Sequence, residues 1–229
     1  MRRLLLIPIL ILIAVPCTAL AGHEAGARID VGVPKGDFAD NLEDPGFGLA
    51  GHYAWSPAPA FAVGFGLGYL IYGSETRVIE LPLVEDVDLT TTNNLAAFHL
   101  LMQLRSPRGA VRPYLEGRFG GQYLWTESKL EDQDFWDDDE VGKEVNYDDF
   151  ALVYGGGGGL LIGVRSPKPG DKRPWALDLD FKALWLYGEN ASYLTEGGIE
   201  LDTRNFPVFR PSESETDLLH VEVGVNFRF

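Results

Sequence analysis

The chain has 229 residues, of which 34 are Asp or Glu and 19 are Lys or Arg, so its formal net charge is −15. This acidity argues against nucleic acid as a partner, because phosphates attract basic surfaces, and a hydrophobic content of 45% argues against a disordered chain. Beyond the N-terminal segment no apolar run approaches the roughly 20 residues of a transmembrane helix, and the length predicts a single domain.

Residues 1–21 predict a secretory signal peptide. Two arginines precede an apolar run over residues 4–15, and a small-Leu-small triplet ends at Ala21, which is the usual order of a signal peptide and its cleavage site. Cleavage after Ala21 would remove Cys17, the only cysteine, and leave residues 22–229 as one domain without disulfides or thiolate metal sites. A membrane anchor is disfavoured because the apolar run is short.

The remaining chain alternates between apolar residues and small or polar residues with a period of two, as strands do when one face meets an apolar environment. In the clearest segment, residues 61–73, Phe65 and Leu67 alternate with Gly66 and Gly68. An even number of antiparallel strands can close into a barrel without free edges. The full pattern predicts eight strands, at residues 25–33, 46–55, 61–73, 94–105, 112–126, 149–165, 174–188 and 217–229.

The predicted connections alternate in length and differ in charge. Three are short and marked by proline, whereas four are long, at residues 34–45, 74–93, 127–148 and 189–216. Counted over residues 34–46, 73–93, 127–149 and 189–217, the long side holds 27 acidic and 6 basic residues, whereas the turns at 105–113 and 165–174 hold 7 basic and 1 acidic. Short turns at one end and long loops at the other are typical of outer-membrane barrels, with the turns in the periplasm.

Two features indicate that the apolar face is the outside. Trp55, Trp125, Trp175 and Tyr187 lie near strand ends on that face, as in the aromatic belt of a membrane protein. The opposite face is rich in glycine, alanine and nearly balanced charges, which suits a narrow interior. We therefore predict an all-β fold, an eight-stranded antiparallel up-and-down transmembrane barrel of a Gram-negative outer membrane. The alternative is a soluble, lipocalin-like barrel with an apolar interior.

In this barrel, strand parity directs a set of charged residues and histidines into the lumen. Enclosed charges must pair to offset the cost of desolvation, so we expect ion pairs that fill the interior. The three histidines of the set could instead belong to a metal site or a proton relay, but they lie on separate strands, and we predict neither a metal nor a cofactor. The predicted network consists of Arg28, Asp30, His52, His99, Glu116, Arg118, Asp178, Asp180, Lys182, His220, Glu222 and Arg228.

The pattern of strands and loops resembles that of the small eight-stranded outer-membrane barrels, the OmpA-like and OmpW-like group. The C-terminal strand resembles the signal that the barrel-assembly machinery recognises, with Glu222, Gly224, Phe227 and Phe229 at the characteristic positions. This resemblance implies contact with the assembly machinery and with outer-membrane lipid, including lipopolysaccharide. An eight-stranded barrel is complete as a monomer, and a monomer is therefore the expected state.

Two local features suggest other chemistry only weakly. Gly155 to Gly159 lacks the lysine and helix of a phosphate-binding loop, so we interpret it as a structural element of a strand. A run of carboxylates in the loop from 127 to 149 could hold a divalent cation, but it lacks the spacing of a calcium-binding loop. The residues of that weak candidate are Asp137, Asp138, Asp139 and Glu140.

Three classes of function follow. The resemblance favours a structural or surface role, or OmpW-like passage of small molecules through a lateral opening, and the narrowness of an eight-stranded barrel predicts little or no ion conductance. Adhesion or binding through the long acidic loops is the alternative. A lipid-modifying enzyme of the outer membrane would need a nucleophile activated by histidine, which the sequence does not offer, so we predict that the protein is not an enzyme.

Overall fold

The computed structural model describes residues 22–42, 44–79, 87–132, 142–167, 175–194, 199–201 and 207–229. The predicted signal peptide and the acidic run Asp137 to Glu140 lie outside these residues. Eight strands form a closed barrel, which confirms the predicted fold class. They are β1 (Gly22–Pro34), β2 (Gly46–Ala58), β3 (Phe61–Ile79), β4 (Val87–Arg105), β5 (Val111–Asp132), β6 (Gly142–Arg165), β7 (Ala176–Gly188) and β12 (Leu218–Arg228).

The smaller elements all lie at the end of the barrel that carries the long connections, called here the loop end. Helix α1 (Asp37–Asn41) follows β1. Between β7 and β12, β8 (Asn190–Tyr193) pairs with β11 (Ser212–Glu215), and β9 (Ile199–Leu201) pairs with β10 (Pro207–Phe209). The opposite end, called the turn end, carries the short connections. No helix in the described residues is both long enough and apolar enough to cross a bilayer.

Pairing of the first strand with the last closes the barrel. β1 and β12 run antiparallel in unbroken register from Glu24 opposite Arg228 to Pro34 opposite Leu218. Beyond this ladder, the backbone of His23 exchanges two hydrogen bonds of 2.8 Å with Phe229. Closure gives each barrel strand a neighbour on both sides in the part that crosses the bilayer, where unpaired backbone groups would be penalised.

The prediction of long loops at residues 74–93 and 127–148 is wrong, because much of each segment is strand. β3 continues to Ile79 and β4 begins at Val87, while β5 continues to Asp132 and β6 begins at Gly142. These extensions remain paired beyond a register shift in each hairpin, as at Thr76 opposite Thr90. A hairpin that projects beyond the bilayer needs no apolar face, so the alternation of apolar residues ends although the backbone pairing continues.

Side chains alternate between lumen and exterior as the sequence predicts. On β7, Asp178, Asp180 and Lys182 are buried, whereas Phe181 and Trp185 are each 39% exposed. The same alternation holds on the other barrel strands, so the exposed wall is a band of aromatic and aliphatic side chains. This is the inverse of a water-soluble barrel, and it rules out the lipocalin-like alternative.

Aromatic rings cluster near both ends of the exposed wall. At the turn end, Trp175 lies 6.2 Å from Phe227 between ring centroids, and the Arg165 guanidinium lies 3.5 Å from the Trp175 ring. At the loop end, Tyr154 and Tyr187 are 5.8 Å apart. Rings of this kind suit the headgroup region, where one part of the side chain is apolar and another meets water.

Candidate functional site

The lumen contains three groups of buried side chains, stacked from the turn end to the loop end. The lower cluster, at the turn end, consists of Glu24, Arg105, Arg112, Asp178, Asn226 and Arg228. The central cluster consists of Arg28, Glu116, Arg118, Asp180, Lys182 and Glu222. The apolar cap, at the loop end, consists of Phe38, Leu42, Leu70, Tyr72, Leu95, Leu124, Ala151, Ala191, Tyr193 and Leu218.

The central cluster joins opposite walls of the barrel. Lys182 Nζ on β7 lies 3.0 Å from Glu116 Oε2 on β5 and 3.2 Å from Glu222 Oε2 on β12. Arg118 holds the same two carboxylates from β5, with Nε 2.7 Å from Glu116 Oε1 and Nη2 2.7 Å from Glu222 Oε1. The two carboxylates and two cations therefore form a ring of ion pairs across the lumen.

A further ion pair and two neutral side chains complete the central cluster. Arg28 Nη2 lies 2.7 Å from Asp180 Oδ2, and Tyr114 donates a hydrogen bond of 2.5 Å to Asp180 Oδ1. Gln103 Nε2 donates one of 2.7 Å to Glu116 Oε2. Strand parity could have assigned Tyr114 and Gln103 to the lumen, but a search for charged residues alone passes over them.

The lower cluster pairs the lumen charges nearest the turn end. Arg105 Nη1 lies 2.7 Å from Glu24 Oε2. Asp178 Oδ2 lies 2.6 Å from Arg112 Nη2 and 2.9 Å from Arg228 Nε. Arg228 is the member that reaches the mouth of the barrel, with 35% of its side chain exposed.

Sequence reasoning did not assign three members of the lower cluster to the lumen. Glu24 precedes the predicted start of the first strand at residue 25, although the strand begins at Gly22. Arg105 and Arg112 were counted with the basic turn, although both are buried. Starting the first strand one residue earlier would have found Glu24, and the parity of the strands predicted at 94–105 and 112–126 already directs Arg105 and Arg112 into the lumen.

The apolar cap is a cluster of buried side chains at the loop end of the barrel, and it was not predicted. Phe38 on α1 is 1% exposed and packs edge-on against Tyr193 on β8, with ring centroids 5.1 Å apart. The Tyr193 and Ser214 hydroxyls are 2.7 Å apart, and Asn41 Nδ2 donates to Tyr193 Oη at 3.1 Å. Burial raises the pKa of the Tyr193 phenol, so its hydroxyl stays protonated and links α1 to the β8–β11 hairpin.

We predict that Tyr193→Phe loosens the cap without opening the barrel. Loss of one buried hydroxyl group lowers the free energy of opening the cap by about 1 kcal/mol. The population of molecules with an open cap then rises roughly fivefold. Limited proteolysis of the folded protein should therefore cut the loop end about fivefold faster. Tyr187→Phe is the matched control, because Tyr187 is 49% exposed on the outer wall. Equal cleavage rates in both variants would contradict the assigned role of the Tyr193 hydroxyl.

The three lumen histidines do not form one site. His52 and His99 are buried on β2 and β4, and their rings fill the space above Gly26 and Gly66. His220 lies nearer the loop end, with Nδ1 2.9 Å from Asp30 Oδ2. Among the described residues, the only group of three potential metal ligands is Asp30 with His220 and Glu222.

Several solved structures are similar in fold. One is Ail, the attachment invasion locus protein of Yersinia pestis, with 13% identity and a TM-score of 0.40 over 91% of this chain and 97% of that one. Neisserial surface protein A has 11% identity and a TM-score of 0.36, over 91% and 95%. A major outer membrane protein from Thermus thermophilus has 12% identity and a TM-score of 0.44, over 90% and 99%. No family model and no curated protein matches the chain.

The environment of the barrel follows from its own two faces. An exposed wall of aromatic and aliphatic side chains surrounds a lumen of paired charges, and every barrel strand is paired on both sides. Only closed barrels and helices satisfy the backbone in a bilayer, and antiparallel barrels of this kind are typical of outer membranes. The chain is an integral β-barrel of the bacterial outer membrane.

Proposed function

We propose that the protein is a non-conducting outer-membrane barrel with a structural role at the cell surface. The observation that supports this proposal is the set of buried side chains inside the barrel, where ion pairs in two clusters lie below an apolar cap. An eight-stranded barrel is just wide enough for its side chains to fill the interior. Its role is therefore structural or surface-exposed, and the proposal contains no catalytic step.

The wall of the barrel also argues against lateral passage of small molecules. β12 is paired continuously with both β1 and β7, so the seam between first and last strands has no gap. The other neighbouring strands are paired along the spanning region, with local shifts such as the one between Gly163 and Arg165. A lateral opening of the OmpW-like kind would require some of these backbone hydrogen bonds to break inside the bilayer, which is costly.

A second candidate function is binding at the cell surface, and the long hairpins favour it. β5 and β6 contain 22 and 24 residues, whereas a tilted strand needs only about 9 to 11 residues to cross the bilayer. The β5–β6 hairpin therefore projects well beyond the membrane. Its sequence is acidic, with 11 carboxylates and 2 lysines over residues 127–149, so we propose a basic surface as its partner.

The C-terminal pattern leads to a proposal about assembly. Phe227 and Phe229 are 43% and 61% exposed on the outer wall, where another protein could contact them before the barrel closes. Gly224 faces the lumen, where an added Cβ would lie 2.1 Å from the carbonyl oxygen of Ala27. We propose that these residues, with Glu222, form the signal for the assembly machinery, and that the folded barrel is a monomer in contact with lipid and lipopolysaccharide.

Conductance in planar bilayers tests the main proposal. We expect no stable conductance steps above the bare membrane, because the central cluster and the apolar cap leave no continuous aqueous path. An unheated gel of the same preparation is the control, since a folded barrel resists detergent until it is boiled and then migrates differently. Large, reproducible steps from folded protein would refute the proposal and favour passage through the lumen.

A further inference from the structure

A group of potential metal ligands lies on the loop side of the central cluster. Asp30 is on β1, and His220 and Glu222 are on β12. One ligand atom from each lies within 4.8 Å of the others. His220 Nδ1 is 2.9 Å from Asp30 Oδ2 and 3.2 Å from Asp30 Oδ1, and all three residues are buried, with 5% exposure or less.

Asp30 differs from the other buried lumen carboxylates in its partners. Glu24, Glu116, Asp178, Asp180 and Glu222 each form an ion pair with Arg or Lys. Within the described part of the chain, Asp30 is paired with no Arg or Lys, and its one ion-pair partner is His220.

The central cluster, counted with Asp30, contains one more carboxylate than it has Arg and Lys side chains, whereas the lower cluster contains one more arginine than it has carboxylates. Arg28, Arg118 and Lys182 are the three fixed cations of the central cluster. They face four carboxylates when Asp30 is counted with the cluster, so one negative charge remains. The Asp30 carboxylate, which is paired with no Arg or Lys in the described part of the chain, is the charge that a bound cation would offset.

We propose that Asp30, His220 and Glu222 bind a divalent transition-metal ion such as Zn²⁺. One imidazole and two carboxylates suit zinc better than calcium or magnesium, which prefer oxygen ligands alone. The contacts of 2.9 and 3.2 Å between His220 and Asp30 are close to the spacing of two ligands on one ion.

The site has a structural consequence because it spans the seam of the barrel. Asp30 belongs to β1, whereas His220 and Glu222 belong to β12. The backbone register places Asp30 directly opposite Glu222. An ion held by ligands from both strands would stabilise closure of the barrel. An ion that binds only the folded state raises the free energy of unfolding once the concentration of free ion exceeds Kd.

Zinc binding to protein purified from outer membranes in detergent tests the proposal. After treatment with EDTA, we expect calorimetry to show that one Zn²⁺ ion binds tightly to each protein molecule. We also expect the midpoint of unfolding in urea to be higher with Zn²⁺ than with EDTA. Asp30→Asn and His220→Gln should each weaken this binding at least tenfold and abolish the urea shift. His99→Gln is the matched control for a buried lumen histidine, and His23→Gln controls for binding at the barrel mouth. Both controls should behave like the wild type.

Two results would overturn the proposal. One is a urea midpoint of the wild-type barrel that does not respond to Zn²⁺, a test that holds even where a variant fails to fold. The other is retention of the tight equivalent in folded Asp30→Asn or His220→Gln, or its loss in His99→Gln or His23→Gln, which would place the zinc elsewhere. Heat-modifiability on gels establishes which variants are folded before each titration.

Discussion

Replacing Lys182 by methionine is expected to destabilise the folded barrel by about 3 to 5 kcal/mol, the usual effect of removing one partner from a buried ion pair. Lys182 Nζ lies 3.0 Å from both oxygens of Glu116 and 3.2 Å from Glu222, and its side chain is 0% exposed. Methionine keeps most of the volume but supplies no charge. Two carboxylates would then remain buried and depend mainly on Arg118 for compensation.

Urea titration of the protein in detergent, followed by tryptophan fluorescence, measures this change. The double variant Lys182→Met/Glu222→Gln serves as the test of mechanism, because it removes one positive and one negative charge together. We expect it to lose less stability than the sum of the two single variants. Arg108→Met, in the exposed turn after β4, is the control for loss of a surface cation. A loss below about 1 kcal/mol in Lys182→Met would mean that the central cluster contributes little to stability.

Gly157→Ala, which adds one methyl group, is expected to prevent most protein molecules from folding into a closed barrel. A Cβ at this position on β6 would lie 2.0 Å from the carbonyl oxygen of Ala183 and 2.8 Å from the Cα of Leu184. Both atoms belong to the backbone of β7, so no rotamer change can relieve the contact. The β6–β7 ladder would have to separate at a point where its hydrogen bonds lie inside the membrane.

Gly117→Ala provides the matched control for Gly157→Ala. Gly117 points outward, and an added Cβ there would lie 3.9 Å from its nearest neighbour, the carbonyl oxygen of Gly155. Refolding yields, read from the unheated band on gels, should fall sharply for Gly157→Ala and remain near the wild-type value for Gly117→Ala. Equal yields would show that β6 and β7 can shift apart to accept the methyl group.

The inward and outward faces of the strands could be predicted from the sequence because side-chain alternation is a local property. On β7 the alternation of Asp180 and Lys182 with Phe181 and Trp185 is visible within a few residues. The parity of each strand is therefore independent of the strand beside it. Balanced charges on one face and aromatic rings on the other then decided the orientation of the barrel wall.

The limits of the long hairpins and the apolar cap could not be predicted in the same way. The pattern of apolar residues marks only the part of a strand that meets the bilayer, so it ends before β3 and β5 do. Phe38 and Tyr193 are separated by more than 150 residues and meet only when the loop end folds over the lumen. Neither segment carries a local signal for that contact.

The partners within the lumen were likewise decided by the tertiary structure. Sequence parity indicates that Lys182, Glu116 and Glu222 face inward, and that buried charges must pair. Which cation meets which carboxylate depends on the stagger between strands and on their height along the barrel, and both are set only when β1 and β12 close the sheet. The same closure places Asp30 beside His220 rather than beside an arginine. Strand parity is thus a property of the local chain, whereas each ion pair is a property of the closed barrel.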